Sequence, residues 1–287
     1  MSERELSSTP SMKALYPRAL GGAVRPLARK LPGISGAPSE LSDDELVLRG
    51  AEVDRERLRE YCRMYTFEIR DVVPATYLHL LAFPLSMRLM TASSFPFPVM
   101  GLVHIENRIS QARPIGVDDP LDVRVRTSDL RPHDKGRQFD VVGEITVDGE
   151  TVWQSRSTYL RRGGGDGSPP RERRERERPP SPDTRLEVPA DTGRRYARVS
   201  GDLNPIHLHP VSARLFGAPR PIAHGMWLKA RCLALIESGL PDAYEVTVSF
   251  KLPVQMPGMV SFASTDGRFA LHDEKNRKPH LKGEVSS

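Results

Sequence analysis

Cysteine is scarce in this 287-residue sequence, which contains only Cys62 and Cys232. Two cysteines cannot build a disulfide framework, and neither has a second cysteine at the short spacing of a zinc-binding pair. The sequence therefore favours a reducing, cytoplasmic setting, and we expect no metal site.

Long apolar runs are missing as well. No stretch approaches the ~20 apolar residues that a membrane-spanning helix requires. Charges and prolines interrupt residues 1–30, so no secretory signal peptide is predicted. Glycine-rich loops of the kinds that hold nucleotide phosphates are also missing, because the three consecutive glycines at 163–165 lie in a charged segment. We expect neither a membrane span nor a nucleotide cofactor.

Positive charge is confined to two segments. Residues 1–30 have a net charge of +4 and residues 161–180 a net charge of +3, whereas the whole chain has +5. The rest of the chain is therefore slightly acidic, at −2. A folded surface with that balance does not attract nucleic acid, and we predict no nucleic-acid partner.

A composition change divides the chain. The segment 161–183 combines glycines, an Arg/Glu run and prolines, which is typical of a solvated linker. Short sequence matches between the two sides, at offsets of 135, 139 and 141 residues, indicate a duplicated unit. We therefore predict a poorly ordered segment at 1–40, a first repeat at 41–160 and a second repeat at 184–287.

Both repeats show the same order of predicted elements. A short amphipathic helix comes first, then an irregular segment, a long apolar helix and finally strands. The predicted helices are 54–64, 83–91, 191–200 and 225–238, and the predicted strands are 123–126, 139–147, 151–160, 246–252 and 259–264. An apolar helix of this kind is stable only when it is covered, so each repeat is predicted as α+β, with a central helix wrapped by an antiparallel sheet.

Polar residues cluster between the two helices of the second repeat. Asp202, Asn204 and His207 lie within Ser-Gly-Asp-Leu-Asn-Pro-Ile-His, residues 200–207. The Asn-Pro turn can direct Asp202 and His207 into one cleft, where a carboxylate and an imidazole form an acid–base pair that can hold a water molecule. Gly225 opens the following helix, and its N–H at the positive end of the helix dipole is a candidate oxyanion donor.

Together with Ile-Ala-His-Gly-Met at 222–226, this motif resembles the hydratase-2 signature of the MaoC-like dehydratase family. More narrowly, the chain is similar to actinobacterial 3-hydroxyacyl-thioester dehydratases, in which one chain holds two hot-dog units. The resemblance covers most of 45–270 and implies an α+β double hot-dog fold. It also implies a lyase of fatty-acid metabolism that interconverts (3R)-hydroxyacyl and trans-2-enoyl thioesters without a cofactor. The implied substrate partner is an acyl-CoA or acyl-carrier-protein thioester, and the sequence does not choose between them.

The resemblance also implies roles for the site residues. Asp202 and His207 would exchange the C2 proton and the hydroxyl proton, in an order that the sequence leaves open. The Gly225 N–H would stabilise the enolate oxygen, and Asn204 would orient Asp202 or the water. His224, next to Gly225, is interpreted as a framework residue that fixes the loop.

The first repeat lacks these groups. The sequence matches place Phe67 opposite Asp202 and Val72 opposite His207. They also place Pro84, which has no N–H, opposite Gly225. We therefore expect the first repeat to bind the substrate tail and the second to perform the chemistry.

Other function classes remain open. Thioesterases with a hot-dog fold would need a carboxylate on the central helix, and residues 226–236 contain none. A non-catalytic acyl-binding or assembly subunit would not need Asp202, His207 and Gly225 together. An interaction protein would act through the linker, and deletion of 163–182 tests that. A homodimer and a monomer are both compatible with two hot-dog units in one chain.

Overall fold

The computed structural model describes residues 2–28, 39–163, 181–275 and 278–287. Most of the predicted linker lies outside these residues. The described chain forms two compact units that alternate along the sequence. Unit 1 comprises Met1–Ala51, His79–His104 and Pro120–Glu172, and unit 2 comprises Glu52–Leu78, Ile105–Asp119 and Arg173–Ser287.

Unit 1 is a sheet with two helices. Its strands are β1 (Ser2–Glu5), β2 (Asp44–Ala51), β4 (Leu121–His133), β5 (Gly136–Val147) and β6 (Glu150–Arg162), and its helices are α1 (Met12–Ala28) and most of α3 (Ala75–Met90). β1 pairs with β2 in parallel, and β2, β4, β5 and β6 follow one another antiparallel. Asp148 and Gly149 both have positive φ, as a tight hairpin turn between β5 and β6 requires, so the predicted hairpin is confirmed. The elements β1 and α1 lie in a segment for which the sequence predicted little order.

The helix α3 packs directly on this sheet. A Cβ placed on Gly143 of β5 would lie 3.2 Å from the Cβ of Ala82, so the glycine permits a close approach of helix and strand. The sequence predicted this helix at 83–91. The structure begins it at Ala75 and places Pro84 in its interior. Pro84 is therefore not the counterpart of the helix-opening Gly225, and that part of the predicted correspondence is wrong.

Unit 2 repeats the design with a six-stranded antiparallel sheet. Its strands follow in the order β3 (Leu102–Gln111, for the most part), β8 (Tyr244–Phe250), β11 (Pro279–Ser286), β10 (Arg268–Asp273), β9 (Gly258–Thr265) and β7 (Thr184–Val188). Its helices are α2 (Arg55–Tyr65), α4 (Thr192–Ser200), α5 (Pro210–Leu215) and α6 (Gly225–Leu235). Both amphipathic helices were predicted to within a residue, and the structure places Asp54 as the N-cap of α2, where its side chain accepts the N–H groups of Glu56 and Arg57.

A buried lysine fastens α6 to this sheet. Lys229 is fully buried, and its Nζ lies 2.6 Å from Asn107 Oδ1 and 3.2 Å from Asn107 O on β3. The same Nζ lies 3.1 Å from Val246 O on β8. Three acceptors require the three N–H donors of an ammonium group. Burial nevertheless lowers the pKa of Lys229 well below its ordinary value, while the charge of Glu245 opposes that shift.

The helix α2 belongs with α6 although it comes from the first repeat. The rings of Tyr65 and Trp227 lie 6.0 Å apart, and Arg231 donates to Tyr65 O at 2.6 Å. Arg57 donates to Val199 O of α4 at 2.5 Å. These contacts explain why residues 52–78 belong to unit 2, although they come from the first predicted repeat. The division of the chain into repeats at 41–160 and 184–287 remains a prediction. No helix in the described ranges is long and apolar enough to cross a membrane.

Candidate active site

The loop that follows α4 is set by the capping of the helix. Gly201 adopts a left-handed conformation with φ 76°, and its N–H donates to Ala197 O at 2.9 Å. The Ser200 hydroxyl donates to Tyr196 O at 2.8 Å and accepts the N–H of Asp202 at 3.0 Å. Ser200 is thus engaged in ending the helix, which places Asp202 at the start of the loop.

Asp202 is held by the backbone of its own loop. Its Oδ1 accepts the N–H of Asn204 at 3.1 Å, and 23% of its side chain is exposed. The Asn204 side chain points along the chain instead, and its Oδ1 accepts the N–H of Ile206 at 3.4 Å. This contact opens the 3₁₀ turn Pro205–His207. Asn204 therefore contacts Asp202 through its backbone, while its side chain shapes the turn.

One hydrogen bond determines the tautomer of His207. Its Nδ1 lies 2.7 Å from Ile222 O, and because a carbonyl can only accept, Nδ1 must carry the hydrogen. Nε2 is then the unprotonated nitrogen, and its lone pair can accept a proton. Burial lowers the pKa of His207, which the negative charge of Asp202 partly offsets. The imidazole is accordingly neutral and ready to accept a proton.

His224 lies against His207. The ring centroids are 3.7 Å apart with an interplanar angle of 28°, so the two imidazoles stack face to face. Tyr196 packs on His224 at 4.7 Å in an edge-on arrangement. His224 is 2% exposed, and its Nε2 lies 3.7 Å from Asp202 Oδ2. Burial, reinforced by the charge of His207 when protonated, lowers the pKa of His224 to about 3.

Gly225 begins α6 immediately after this stack. As the first residue of the helix, it has an N–H with no intrahelical partner, at the positive end of the helix dipole. His224 before it is in an extended conformation, and Ala223 N–H donates to Val254 O at 2.8 Å. The backbone around Gly225 is therefore fixed at the edge of the site. This position suits a donor to an oxygen that gains negative charge.

The corresponding loop of the first repeat is much shorter. Residues 66–74 connect α2 to α3, whereas residues 201–224 connect α4 to α6. The short connection has no room for a 3₁₀ turn followed by a helix such as α5. Phe67 and Val72 stand where the sequence matches placed the counterparts of Asp202 and His207.

Asp202, His207 and His224 are residue types that bind metals, and one donor atom of each lies within 4.8 Å of the others. The lone pairs of an imidazole lie in the plane of its ring. Tetrahedral zinc requires ligand lone pairs that converge on one point. Because the rings of His207 and His224 stack, their lone pairs lie side by side and do not converge. A separation of this size instead suits a water molecule held between Asp202 and His207.

The chain shows clear similarity to known proteins. A family model described as MaoC like domain matches residues 171–279, which include Asp202, His207 and Gly225. The 3-hydroxyacyl-thioester dehydratase X of Mycobacterium tuberculosis is 36% identical over 277 residues, covering 94% of this chain and 98% of that protein. The chain belongs to the MaoC-like dehydratase family. It is therefore a hydro-lyase of the hydratase and dehydratase class, in fatty-acid metabolism.

Solved structures of MaoC-like proteins agree with this assignment. The crystal structure of HtdX of Mycobacterium tuberculosis matches with a TM-score of 0.75 and 36% identity, covering 84% of this chain and 98% of that chain. A MaoC-like dehydratase from Phytophthora capsici has a TM-score of 0.65 at 18% identity, covering 85% and 95%, and shows the fold alone. The (R)-specific enoyl-CoA hydratase of Aeromonas caviae is 40% identical over 63 residues, covering 21% of this chain and 47% of that protein. The predicted α+β double hot-dog fold is confirmed.

The sequence did not reveal the contacts of two residues of this MaoC-like chain, His224 and Lys229. His224 was interpreted as a framework residue, yet its ring contacts His207 and lies near Asp202. Its position next to Gly225 was the available signal. Lys229 was not identified as a candidate from the sequence, because nothing in the local sequence points to Asn107 as its partner.

Proposed function

We propose that this protein reversibly dehydrates (3R)-hydroxyacyl thioesters to trans-2-enoyl thioesters. The observation that supports it most strongly is the meeting of the Asp202 carboxylate and the neutral His207 imidazole, within 4.8 Å, beside the N-terminus of α6. A carboxylate and an imidazole at this spacing can bind one water molecule and exchange protons with it. The Gly225 N–H completes the set as a hydrogen-bond donor.

The proton balance of the reaction suits two such groups. In dehydration, one proton leaves C2 of the substrate, one proton is delivered to the C3 hydroxyl, and water departs. Asp202 and His207 act as a coupled pair. The pair takes one proton from C2 and delivers one proton to the leaving hydroxyl. The pair therefore ends the cycle in its starting protonation state, and hydration runs the same steps backwards.

The C2 proton is a poor acid unless the thioester oxygen is stabilised as negative charge forms on it. We assign that stabilisation to the Gly225 N–H, whose orientation is fixed by the start of α6. Removal of one preorganised oxyanion donor costs about 10²- to 10³-fold in kcat in other enzymes. No metal or organic cofactor enters this scheme.

The substrate class is supported by the relatives. The Mycobacterium tuberculosis protein is named a 3-hydroxyacyl-thioester dehydratase, and the Aeromonas caviae protein an (R)-specific enoyl-CoA hydratase. We propose the same thioester class and the same (3R) stereochemistry here, with coenzyme A or an acyl carrier protein as the thiol. The first repeat, which lacks the catalytic groups, is proposed to bind the acyl tail. We also propose a cytoplasmic location, consistent with two free, buried cysteines.

Hydration of trans-2-enoyl-CoA tests the proposal. Crotonyl-CoA and longer homologues are followed by loss of the enoyl-thioester absorbance for the wild type, Asp202→Asn and His207→Gln. We expect both variants to lose about 10²- to 10⁴-fold in kcat. Asp191→Asn is the matched control, because Asp191 makes no side-chain cap hydrogen bond at the start of α4 and its change should leave kcat unaltered.

The stereochemistry is read by coupling the product to an (R)-specific or an (S)-specific 3-hydroxyacyl-CoA dehydrogenase. Signal with the (R)-specific enzyme alone is expected. An (S) product would contradict the stereochemical assignment. Full activity in Asp202→Asn or His207→Gln would contradict the assignment of the site.

A further inference from the structure

His224 has no part in the proton transfers described above, yet its ring stacks on that of His207. Its ring covers one face of His207 at 3.7 Å between centroids. It is 2% exposed, so substrate does not reach it from solvent. Any influence of His224 on the reaction must therefore pass through His207 or Asp202.

Two contacts restrict the orientation of the His207 ring. The Ile222 carbonyl fixes it at one edge by accepting from Nδ1 at 2.7 Å. His224 fixes it across one face, and Tyr196 packs against His224 in an edge-on arrangement at 4.7 Å. With an edge and a face both occupied, the ring cannot turn to offer Nδ1 to the substrate.

We propose that His224 is a positioning residue that holds His207 as the neutral Nδ1–H tautomer, with Nε2 directed at the reacting water. This inference rests on the function proposed for His207. The stack excludes water from one face of His207, and desolvation favours the neutral form of an imidazole. The same desolvation keeps His224 itself uncharged, so it does not repel the proton that His207 accepts during turnover.

The titratable groups that face the two rings are few. Asp202, in the loop after α4, faces both, and its negative charge raises the pKa of each ring. Tyr196, on α4, contacts His224. Two backbone groups also contact the rings, that of Ile222 at His207 and that of Asp202 at His224, and neither carries a charge. Loss of the His224 ring should therefore admit water to His207 while leaving Asp202 and Ile222 in place.

The experiment compares His224→Gln, which removes the ring, with His224→Phe, which keeps an aromatic face and removes the nitrogens. Long-range ¹H–¹⁵N spectra of histidine-labelled full-length protein report which ring nitrogen of His207 is protonated and at what pH it titrates. In the wild type we expect the Nδ1–H tautomer for His207 and a His224 that stays neutral at pH 5. His209→Gln, on the exposed start of α5, serves as the control.

In His224→Gln the titration midpoint of His207 is expected to rise by about one pH unit toward the ordinary value near 6.5. The acid limb of the kcat/KM profile for enoyl-CoA hydration should move by the same amount. In His224→Phe the His207 midpoint and the acid limb should both stay at the wild-type values, because the aromatic ring still covers the face of His207.

Three results would overturn the proposal: an Nε2–H tautomer for His207 in the wild type, protonation of His224 above pH 6 in the wild type, or a His207 midpoint unchanged in His224→Gln. The first two need no variant, so a misfolded variant leaves the test intact. The spectra also need no activity. An inactive wild type with the expected tautomer and midpoint shift would contradict the proposed function and support the positioning role of His224.

Discussion

The ring of Phe250 fills the space beside the Cα of Gly225, where a Cβ would lie 3.0 Å from the nearest ring carbon. This distance is too short for an undisturbed methyl group. Phe250 ends β8 and is paired with Leu281 of β11, so its backbone is fixed by the sheet. The glycine at the start of α6 therefore serves a packing need in addition to its N–H.

Gly225→Ala is expected to lower kcat for enoyl-CoA hydration by about 10- to 100-fold with a small effect on stability. The methyl group displaces either the Phe250 ring or the first turn of α6 by a few tenths of an ångström, and a misplaced donor stabilises the transition state less well. Steady-state kinetics and urea unfolding of the same protein separate the two effects.

A second substitution makes the test specific. Phe250→Leu removes the ring edge that the new methyl group meets, so Gly225→Ala/Phe250→Leu should recover part of the lost kcat. Recovery greater than additivity identifies the contact. A fully active Gly225→Ala protein would show that the exact position of this N–H is unimportant.

Asn204→Ala is expected to reduce the free energy of unfolding by about 1 kcal/mol, the usual value of a lost N-cap. Its kcat should fall less than about tenfold, because the N–H that holds Asp202 belongs to the backbone and survives the substitution. The kcat of Asn204→Ala, measured together with that of Asp202→Asn, shows whether the Asn204 side chain takes part in the reaction. Equal losses in the two variants would mean that the Asn204 side chain itself contacts the reacting groups.

Lys229→Met should destabilise the protein by about 2–4 kcal/mol. Methionine matches the lysine stem in length, but it removes the buried donor that lies against Asn107 Oδ1 and the backbone carbonyls of Asn107 and Val246. Urea denaturation measures the loss. The control is Lys13→Met, at an exposed position of α1, which should change stability by less than about 0.5 kcal/mol.

The pair Lys229→Met/Asn107→Leu should be more stable than Lys229→Met alone, since the amide oxygen that lost its donor is then removed as well. If the double variant is the weaker of the two, the cost arises from packing and not from the unpaired amide.

Stability should decrease in acid because of the two stacked histidines. Burial lowers the pKa of His224 to about 3 and also lowers that of His207. In the unfolded chain both titrate near 6.5, so between these values the unfolded state binds more protons. The free energy of unfolding therefore falls as the pH decreases below about 6.5, and for His224 alone the loss is about 3 kcal/mol at pH 4. Above pH 7 the effect vanishes.

Urea midpoints measured from about pH 4 to 8 test this dependence. His224→Phe removes one of the two titrating groups and should flatten the acid side of the curve. A slope identical to that of the wild type would show that His224 is already charged, or solvated, in the folded protein.

Local patterns in the sequence were sufficient for part of the site and fold. Asp202, Asn204 and His207 share one short segment, so the chemistry of that segment was readable without a structure. The turn at Asp148 and the caps of α2 and α4 depend on neighbouring residues alone and were likewise predictable. Periodicity also indicated that strands follow the helices in each repeat, but it missed β2 and β7, the strands that precede α2 and α4.

What the sequence did not reveal depends on distant partners. Lys229 is 122 residues from Asn107 in the sequence. Its ammonium group can be buried because the folded chain brings the Asn107 side-chain amide next to it. The stacking of His224 on His207 requires the loop to close through Ile222 O. The early start of α3 required Pro84 to be accommodated inside a buried helix, against its local preference.

The unequal connections at 66–74 and 201–224 bear on how this protein can change in evolution. Catalytic residues can be lost by single substitutions and regained the same way, provided that the backbone supporting them persists. Here the backbone itself differs, because the shorter connection has no 3₁₀ turn and no helix before the central one. Substituting single residues of the first repeat with their catalytic counterparts would therefore leave them without the 3₁₀ turn that carries His207 in the second repeat. Under the proposed division of labour, giving the first repeat catalytic groups would require a longer connection as well.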